Sequence, residues 1–238
     1  MDGLRKLFPE GLAGKTFLDI GCGSGVHALA ALSLSARSVT AIDIDENSVA
    51  TTQDLLAKLA PSGKWKAEVK SVFDLDARYG RFDVVYAWGS LHHTGNMWRA
   101  INLAAGCVAP GGALALAIYA KTPLDGLWSA EKRIYSRSPR PIQWAIRQAY
   151  LAAYVSAQFA ARKNPFRDQA RGMDFSHDVH DWLGGYPYET ATATELKNRL
   201  RNLGFSDEQS FVVSPRLGGL LGSGCSEFVF SRPATAPA

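Results

Sequence analysis

The sequence predicts an α/β fold, a parallel doubly wound sheet interrupted late in the chain by a helical insertion. Three observations carry this. Short apolar runs alternate with helix-period patterns from residue 16 to residue 119. The first run ends in a loop with glycine at every second position, Gly21, Gly23 and Gly25. Between residues 121 and 185 the alternation stops and no convincing strand remains. A length of 238 residues suits one large domain, or a core with one insertion.

The elements follow in order. Residues 2–12 read as a short leading helix or loop with Leu4, Leu7 and Phe8. Strand one is Thr16–Ile20. The helix from Ser24 to about Leu34 is apolar almost all round, which implies burial against a sheet. Strand two is Ser38–Ile42. The helix Glu46–Leu59 repeats Val49, Thr52, Leu56 and Leu59 on one face, and Pro61 stops it. Strand three runs from Trp65 to about Val72. Strand four, Phe82–Trp88, is apolar apart from Asp83, as a central parallel strand should be. A helix with Met97, Ile101, Ala104 and Val108 follows, and Pro110-Gly111-Gly112 turns into strand five, Ala113–Tyr119. The insertion holds helices near Leu127–Tyr135 and Ile142–Ala161, then a polar aromatic loop. The core resumes at Thr192, where Thr192 and Glu195 form a capping box, and Gly204 stops that helix. Strands six (Gln209–Val213) and seven (Glu227–Ser231) flank a Gly-rich loop.

The stretch Phe17-Leu18-Asp19-Ile20-Gly21-Cys22-Gly23-Ser24-Gly25 carries the chemistry most directly. A helix N-terminus presents free N–H groups and a partial positive charge to a ligand's anionic group. Glycine lets the backbone approach where a Cβ would obstruct. The spacing departs from the dinucleotide pattern G-x-G-x-x-G: Gly25 comes one position early and Val26 stands where that glycine belongs. Asp19, a carboxylate at the strand end, suits an ammonium better than a pyrophosphate. This pattern resembles the first motif of class I S-adenosylmethionine (SAM) methyltransferases. Phe82-Asp83-Val84-Val85-Tyr86-Ala87-Trp88, Leu91-His92-His93-Thr94 and Val108-Ala109-Pro110-Gly111-Gly112 extend the likeness in order and spacing, so it covers residues 16–119.

The resemblance implies a Rossmann-like seven-stranded sheet of order 3-2-1-4-5-7-6 with the last strand antiparallel. It implies SAM, with S-adenosylhomocysteine (SAH) as product, at the C-terminal ends of strands one, two and four. The crevice itself also follows from the switch-point rule for open α/β sheets. The expected organisation is a SAM-binding half over 1–120, a helical insertion or substrate lid over 121–185, the rest of the core over 186–232 and a disordered tail over 233–238. The candidate cofactor residues are Asp19, Gly21, Cys22, Gly23, Asp43, Ile44, Val72, Phe73 and Trp88. Asp43, at the end of strand two, can accept both hydroxyl protons of a ribose. It can equally cap the next helix, although Asp45 could do that. Val72 and Phe73 could form an apolar adenine slot with Asp74 at its edge, or simply end a strand.

Methyl transfer from a sulfonium is an in-line displacement, so the protein supplies alignment, plus a base where the acceptor is a hydroxyl. Ala87-Trp88-Gly89-Ser90 stands where amino-group methylases of bases and glutamine carry Asn/Asp-Pro-Pro-Tyr/Phe, which disfavours that chemistry. None of Cys22, Cys107 and Cys225 has the context of a nucleophile. His92 and His93 are base candidates at the edge facing the methyl group. In quinone-precursor O-methyltransferases a similar loop carries Glu-His; His92 stands in place of the glutamate, so no metal is carried over. A structural hydrogen bond holding the loop is the other reading. His177, His180 and Asp181 form a second catalytic candidate. The spacing i, i+3 could face an acceptor or a metal, but one short cluster does not establish a metal, and a capped turn back to the core is an equal reading. Tyr119 could also face the acceptor.

The net charge is +4, but ten Lys or Arg against three Asp or Glu fall between Lys121 and Met173. This basic insertion, interleaved with Trp128, Trp144, Tyr150, Tyr154 and Phe159, reads as a lid over an amphiphilic or anionic small molecule, a membrane-surface helix, or a helix packed on the core with a solvated charged side. Three cysteines without paired spacing and an N-terminus without a signal-peptide apolar run lead us to expect the cytoplasm. The expected activity is O-methylation of a small molecule, with nucleic acid not expected as partner. A tRNA-modifying methyltransferase and a non-catalytic SAM-binding subunit are the alternatives.

Overall fold

The computed structural model describes residues 2–76, 78–160, 175–220 and 222–234. Its elements are α1 (Asp2–Leu7), β1 (Thr16–Ile20), α2 (Val26–Ser33), β2 (Ser38–Asp43), α3 (Glu46–Leu59), β3 (Trp65–Val69), β4 (Phe82–Trp88), α4 (Met97–Gly106), β5 (Val108–Tyr119), α5 (Asp125–Arg137), α6 (Arg140–Ala160), α7 (Phe175–Gly184), α8 (Ala193–Asn202), β6 (Ser206–Phe211) and β7 (Cys225–Ser231). The chain divides into two compact units.

The first unit is Met1–Ala120 with Thr190–Ser214 and Gly224–Ala238. It holds the seven-stranded sheet in the order β3-β2-β1-β4-β5-β7-β6, with β7 antiparallel to both neighbours. Successive strand residues point to opposite faces, so the apolar central strands feed two cores. Leu18, Ile42, Val85 and Leu116 pack with Met97 and Ile101 of α4 and Leu196 and Leu200 of α8. Phe17, Ala41, Val84 and Ala115 pack with Leu4, Ala28 and Leu56 on the other face. Asp83 fastens the bottom of β4 to β1, accepting from the N–H and Oγ1 of Thr16 at 2.8 and 2.7 Å.

Several boundaries differ from the sequence reading. β3 stops at Val69, because Ser71 Oγ accepts from the N–H of Phe73 and folds Val72–Asp74 into a 3₁₀ turn. Val108 belongs to β5, not to α4; it pairs with Phe82, and an irregularity over the Pro-Gly-Gly segment precedes the pairing of Ala113 with Val84. β6 begins three residues earlier than expected, at Ser206, where it pairs with Ser231. Pro233 of the expected tail accepts a hydrogen bond from Gly111, and residues 235–238 lie outside the described residues.

The second unit is Lys121–Glu189 with Pro215–Ser223. It therefore takes in 186–189 and most of the Gly-rich loop that the sequence reading assigned to the core. The reason is local: Trp128 Nε1 of α5 donates to the Gly219 carbonyl at 2.7 Å, and Tyr188 Oη donates to Ser223 Oγ at 3.1 Å. Tyr135, Val179 and Leu183 form its small core, with Ile146, Tyr150 and Trp182 against it. Residues 175–184, read as loop from sequence, are helix α7.

Candidate active site

The site is built where β1, β2 and β4 end. Gly21 and Cys22 donate their N–H groups to the Ile42 carbonyl, which turns the chain tightly after β1. Gly21 has φ +77°, and a Cβ there would lie 2.3 Å from Ser90 Cβ. The glycine loop therefore rests directly on the segment after β4, and Ser90 Oγ donates to the Ile20 carbonyl at 2.7 Å. Gly23, φ +53°, has open space where its Cβ would be. Asp43 holds the loop from the side: one oxygen accepts from Gly23 N–H and the other from Asp45 N–H, each at 3.0 Å. Asp45, not Asp43, caps α3, through Ser48 N–H at 2.9 Å. Ile44, next to Asp43, is 76 % exposed.

Asp19 is 1 % exposed, and its Oδ2 has no hydrogen-bond partner. Burial, reinforced by the charge of Asp43, pushes its carboxyl up to about 7. A buried, unpaired carboxylate oxygen is costly unless a partner arrives, and a ligand ammonium is such a partner. Together with the open approach at Gly23, these residues are of a kind that would suit SAM: Asp19 would take its ammonium, Asp43 its ribose, and Ile44 with half-buried Phe73 and buried Val72 its adenine. The Arg99 guanidinium lies 5.1 Å from the Phe73 ring centre. Cys22 is a correction. Its thiol faces the core, accepts from Thr52 Oγ1 at 3.4 Å and is pushed up to about 12 by burial, so the side chain takes no part in a ligand site.

The 3₁₀ turn Leu91–His93 places the two histidines differently. His92 is fully buried, with its ring centre 3.9 Å from that of Tyr119 at the end of β5. His93 is half-buried and meets Tyr119 edge-on at 5.4 Å. His92 thus has no surface for an acceptor, which corrects its reading as a base, and His93 with Tyr119 keeps that role open. Trp88 packs against the core formed by Phe17, Val84 and Tyr86. Its Nε1 donates to Glu227 Oε1 at 3.0 Å, and Lys6 pairs with the other carboxylate oxygen. The sequence reading missed His27, which sits on α2 between the rings of Tyr86 and Trp88 at 5.0 and 5.7 Å; burial pulls its imidazole down to about 4. Only the packing of α2 on the sheet brings His27 and Trp88 together, so no local signal marks it.

His177, His180 and Asp181 belong to the second unit, and His92 and His93 to the first. The side chains of His177 and Asp181 lie outside the described residues. His180 Nδ1 shares a 2.7 Å hydrogen bond with Tyr135 Oη, which ties α7 to α5. Beside it, Lys132 is fully buried, donates to the Trp182 carbonyl and lies 3.6 Å from a Trp182 ring centre; burial pulls its ammonium down to about 7.

A sheet of this order with a glycine loop, a strand-end acid and a crevice at the switch point defines the class I SAM-dependent methyltransferase fold. A family model described as a methyltransferase domain matches residues 1–210, and the chain belongs to that family. Over 111 residues the chain is 36 % identical to the 27-O-demethylrifamycin SV methyltransferase of Amycolatopsis mediterranei (strain S699), a match covering 47 % of this chain and 41 % of that protein. It is 36 % identical over 107 residues to the tRNA U34 carboxymethyltransferase of Methylococcus capsulatus (strain ATCC 33009 / NCIMB 11132 / Bath), covering 44 % and 32 %. The chain thus spans less than half the length of these curated relatives. Among solved structures, the fold is similar to magnesium protoporphyrin IX methyltransferase from Synechocystis PCC 6803 with bound SAH, at TM-score 0.60, 16 % identity, and coverage of 97 % of this chain and 81 % of that one.

Proposed function

We propose that this chain transfers the methyl group of SAM to a hydroxyl of a small-molecule acceptor. The observation that carries the reading is the seating of the glycine loop on Ser90, two residues before His92, with His93 and Tyr119 beside it. SAM, when bound, supplies a methyl group already activated on a sulfonium. Asp19 would hold its ammonium and Asp43 its ribose, and the open space at Gly23 would admit it to the glycine loop. His93 takes the proton from the acceptor hydroxyl, because an imidazole is a weak enough acid and strong enough base to serve near neutrality. Buried His92 and half-buried Tyr119 pack against the His93 ring and keep it in place. The name of the rifamycin relative supports oxygen as the acceptor atom.

The tRNA reading is kept by one of the relatives and by the basic stretch 132–167. It requires RNA binding that weakens steeply with salt. The test is calorimetric titration of the protein with SAH, SAM and NADH, followed by an acceptor screen with labelled SAM on wild type and His93→Ala. The expected result is SAH binding unchanged by the substitution and turnover lower by about 10²–10⁴-fold. NADH binding without SAH binding overturns the cofactor. Transfer that His93→Ala leaves unaltered overturns the base, and SAH binding with no transfer to any acceptor points to a non-catalytic subunit.

A further inference from the structure

The α5–α6 hairpin of the second unit has a feature that methyl transfer does not use. The inner side of α6 packs Ile146, Tyr150 and Leu151 on the small core of the unit. Its solvent side exposes Trp144 at 59 % and Phe159 at 62 %, with Ile142 at one edge and small residues between them. Among the described residues beyond Arg140, no exposed side chain of α6 is charged, and only Gln148 and Ser156 are polar. A solvated helix face normally carries charge, and an uncharged one with two exposed aromatic rings is suited to docking. On α5, Leu127 and Ile134 stand two turns apart and are exposed at 61 % and 60 %.

Charge selects the occupant. Between Glu131 and Asp168 the sequence carries no acidic residue and eight Lys or Arg. Of these, Arg133, Arg137 and Arg140 are exposed around the turn that joins the two helices. A protein partner with a neutral apolar face would leave that cluster without compensation, and a second copy of the chain would bring like charges together. An anionic bilayer surface answers both features at once: apolar side chains enter the acyl boundary and guanidinium groups reach the headgroups. Among the described residues no helix is long and apolar enough to cross a membrane, so contact is with the surface. We propose that the outer face of α6, with Arg133, Arg137 and Arg140 at its end, docks the protein on anionic lipid. The inference rests on the second unit and stands whether or not His93 is the base.

The test is co-sedimentation of the full chain with vesicles of phosphatidylcholine alone or with about 30 % phosphatidylglycerol, at low and high salt. Binding is expected to the anionic vesicles only, weakening with salt. Each reversal among Arg133→Glu, Arg137→Glu and Arg140→Glu should weaken it by roughly fivefold or more. The pair Trp144→Ser and Phe159→Ser, exposed and so not expected to disturb the fold, should weaken it by about tenfold or more. Equal binding to both vesicle types, or none to either, overturns the proposal. So does a dimer in light scattering that the aromatic pair abolishes while wild type ignores vesicles, which would assign the face to a second copy.

Discussion

Gly21 and Gly23 both have positive φ, yet they differ in what a side chain would meet. At Gly21 a Cβ would strike Ser90 Cβ, so Gly21→Ala must move backbone; a loss of about 1–3 kcal/mol in chemical denaturation, together with weaker SAH binding, is expected. At Gly23 the space is open, so Gly23→Ala should cost only about 1 kcal/mol while still weakening SAH titration, because the new methyl stands in the ligand's approach. Asp19 makes a pH prediction. Its carboxyl rises from an ordinary 3.8 to about 7 in the fold, so the folded state holds a proton that the unfolded chain releases. The contribution of Asp19 to stability therefore falls as pH rises from about 4 to 7 and levels off above. Asp19→Asn removes that dependence and should match wild type near pH 4 and exceed it by about 2–4 kcal/mol at pH 8, read as urea midpoints at several pH values. The placing of Asp19 and the glycines at the end of β1 was legible from sequence because their spacing is local. The burial of His92 was not, because Tyr119, which covers it, comes from another strand.

At the scale of elements, helices with local stop and start signals were legible and those shaped by packing were not. Thr192 and Glu195 form both bonds of the capping box, Glu195 N–H to Thr192 Oγ1 at 3.1 Å and Thr192 N–H to Glu195 Oε2 at 2.8 Å. Thr192→Ala should lower stability by about 1 kcal/mol, seen as a melting temperature lower by roughly 2–4 °C. The end of α4 was misplaced because Val108 continues the helical stripe of Ile101 and Ala104; pairing with Phe82 outweighs that stripe. The Pro-Gly-Gly segment does turn the chain, but as an irregularity inside β5 rather than a loop before it. Helix α7 escaped sequence reading because its aromatic and acidic residues resemble a recognition loop. Val179 and Leu183, four apart, are buried in the second unit's core and supply the helical period.

For the whole molecule, the division into two units has a measurable consequence. The segment 215–223 lies far along the chain from α5 but is held to it by Trp128 and the Gly219 carbonyl. Trp128→Phe should speed amide hydrogen exchange at 215–223 and leave the central strands β1 and β4 protected as before. An equal loss of protection in both regions would show that the two units do not open independently. The sequence by itself determined the order of the strands, the parallel core and the glycine loop with its acids. Each of these is written in periodicity or spacing over a few residues, where backbone geometry and burial act locally. Only the tertiary structure decided that Cys22 faces the core, that His27 meets Trp88 and that His92 is buried against Tyr119. These depend on strand register and on which faces meet, and contacts between residues far apart in the chain set both.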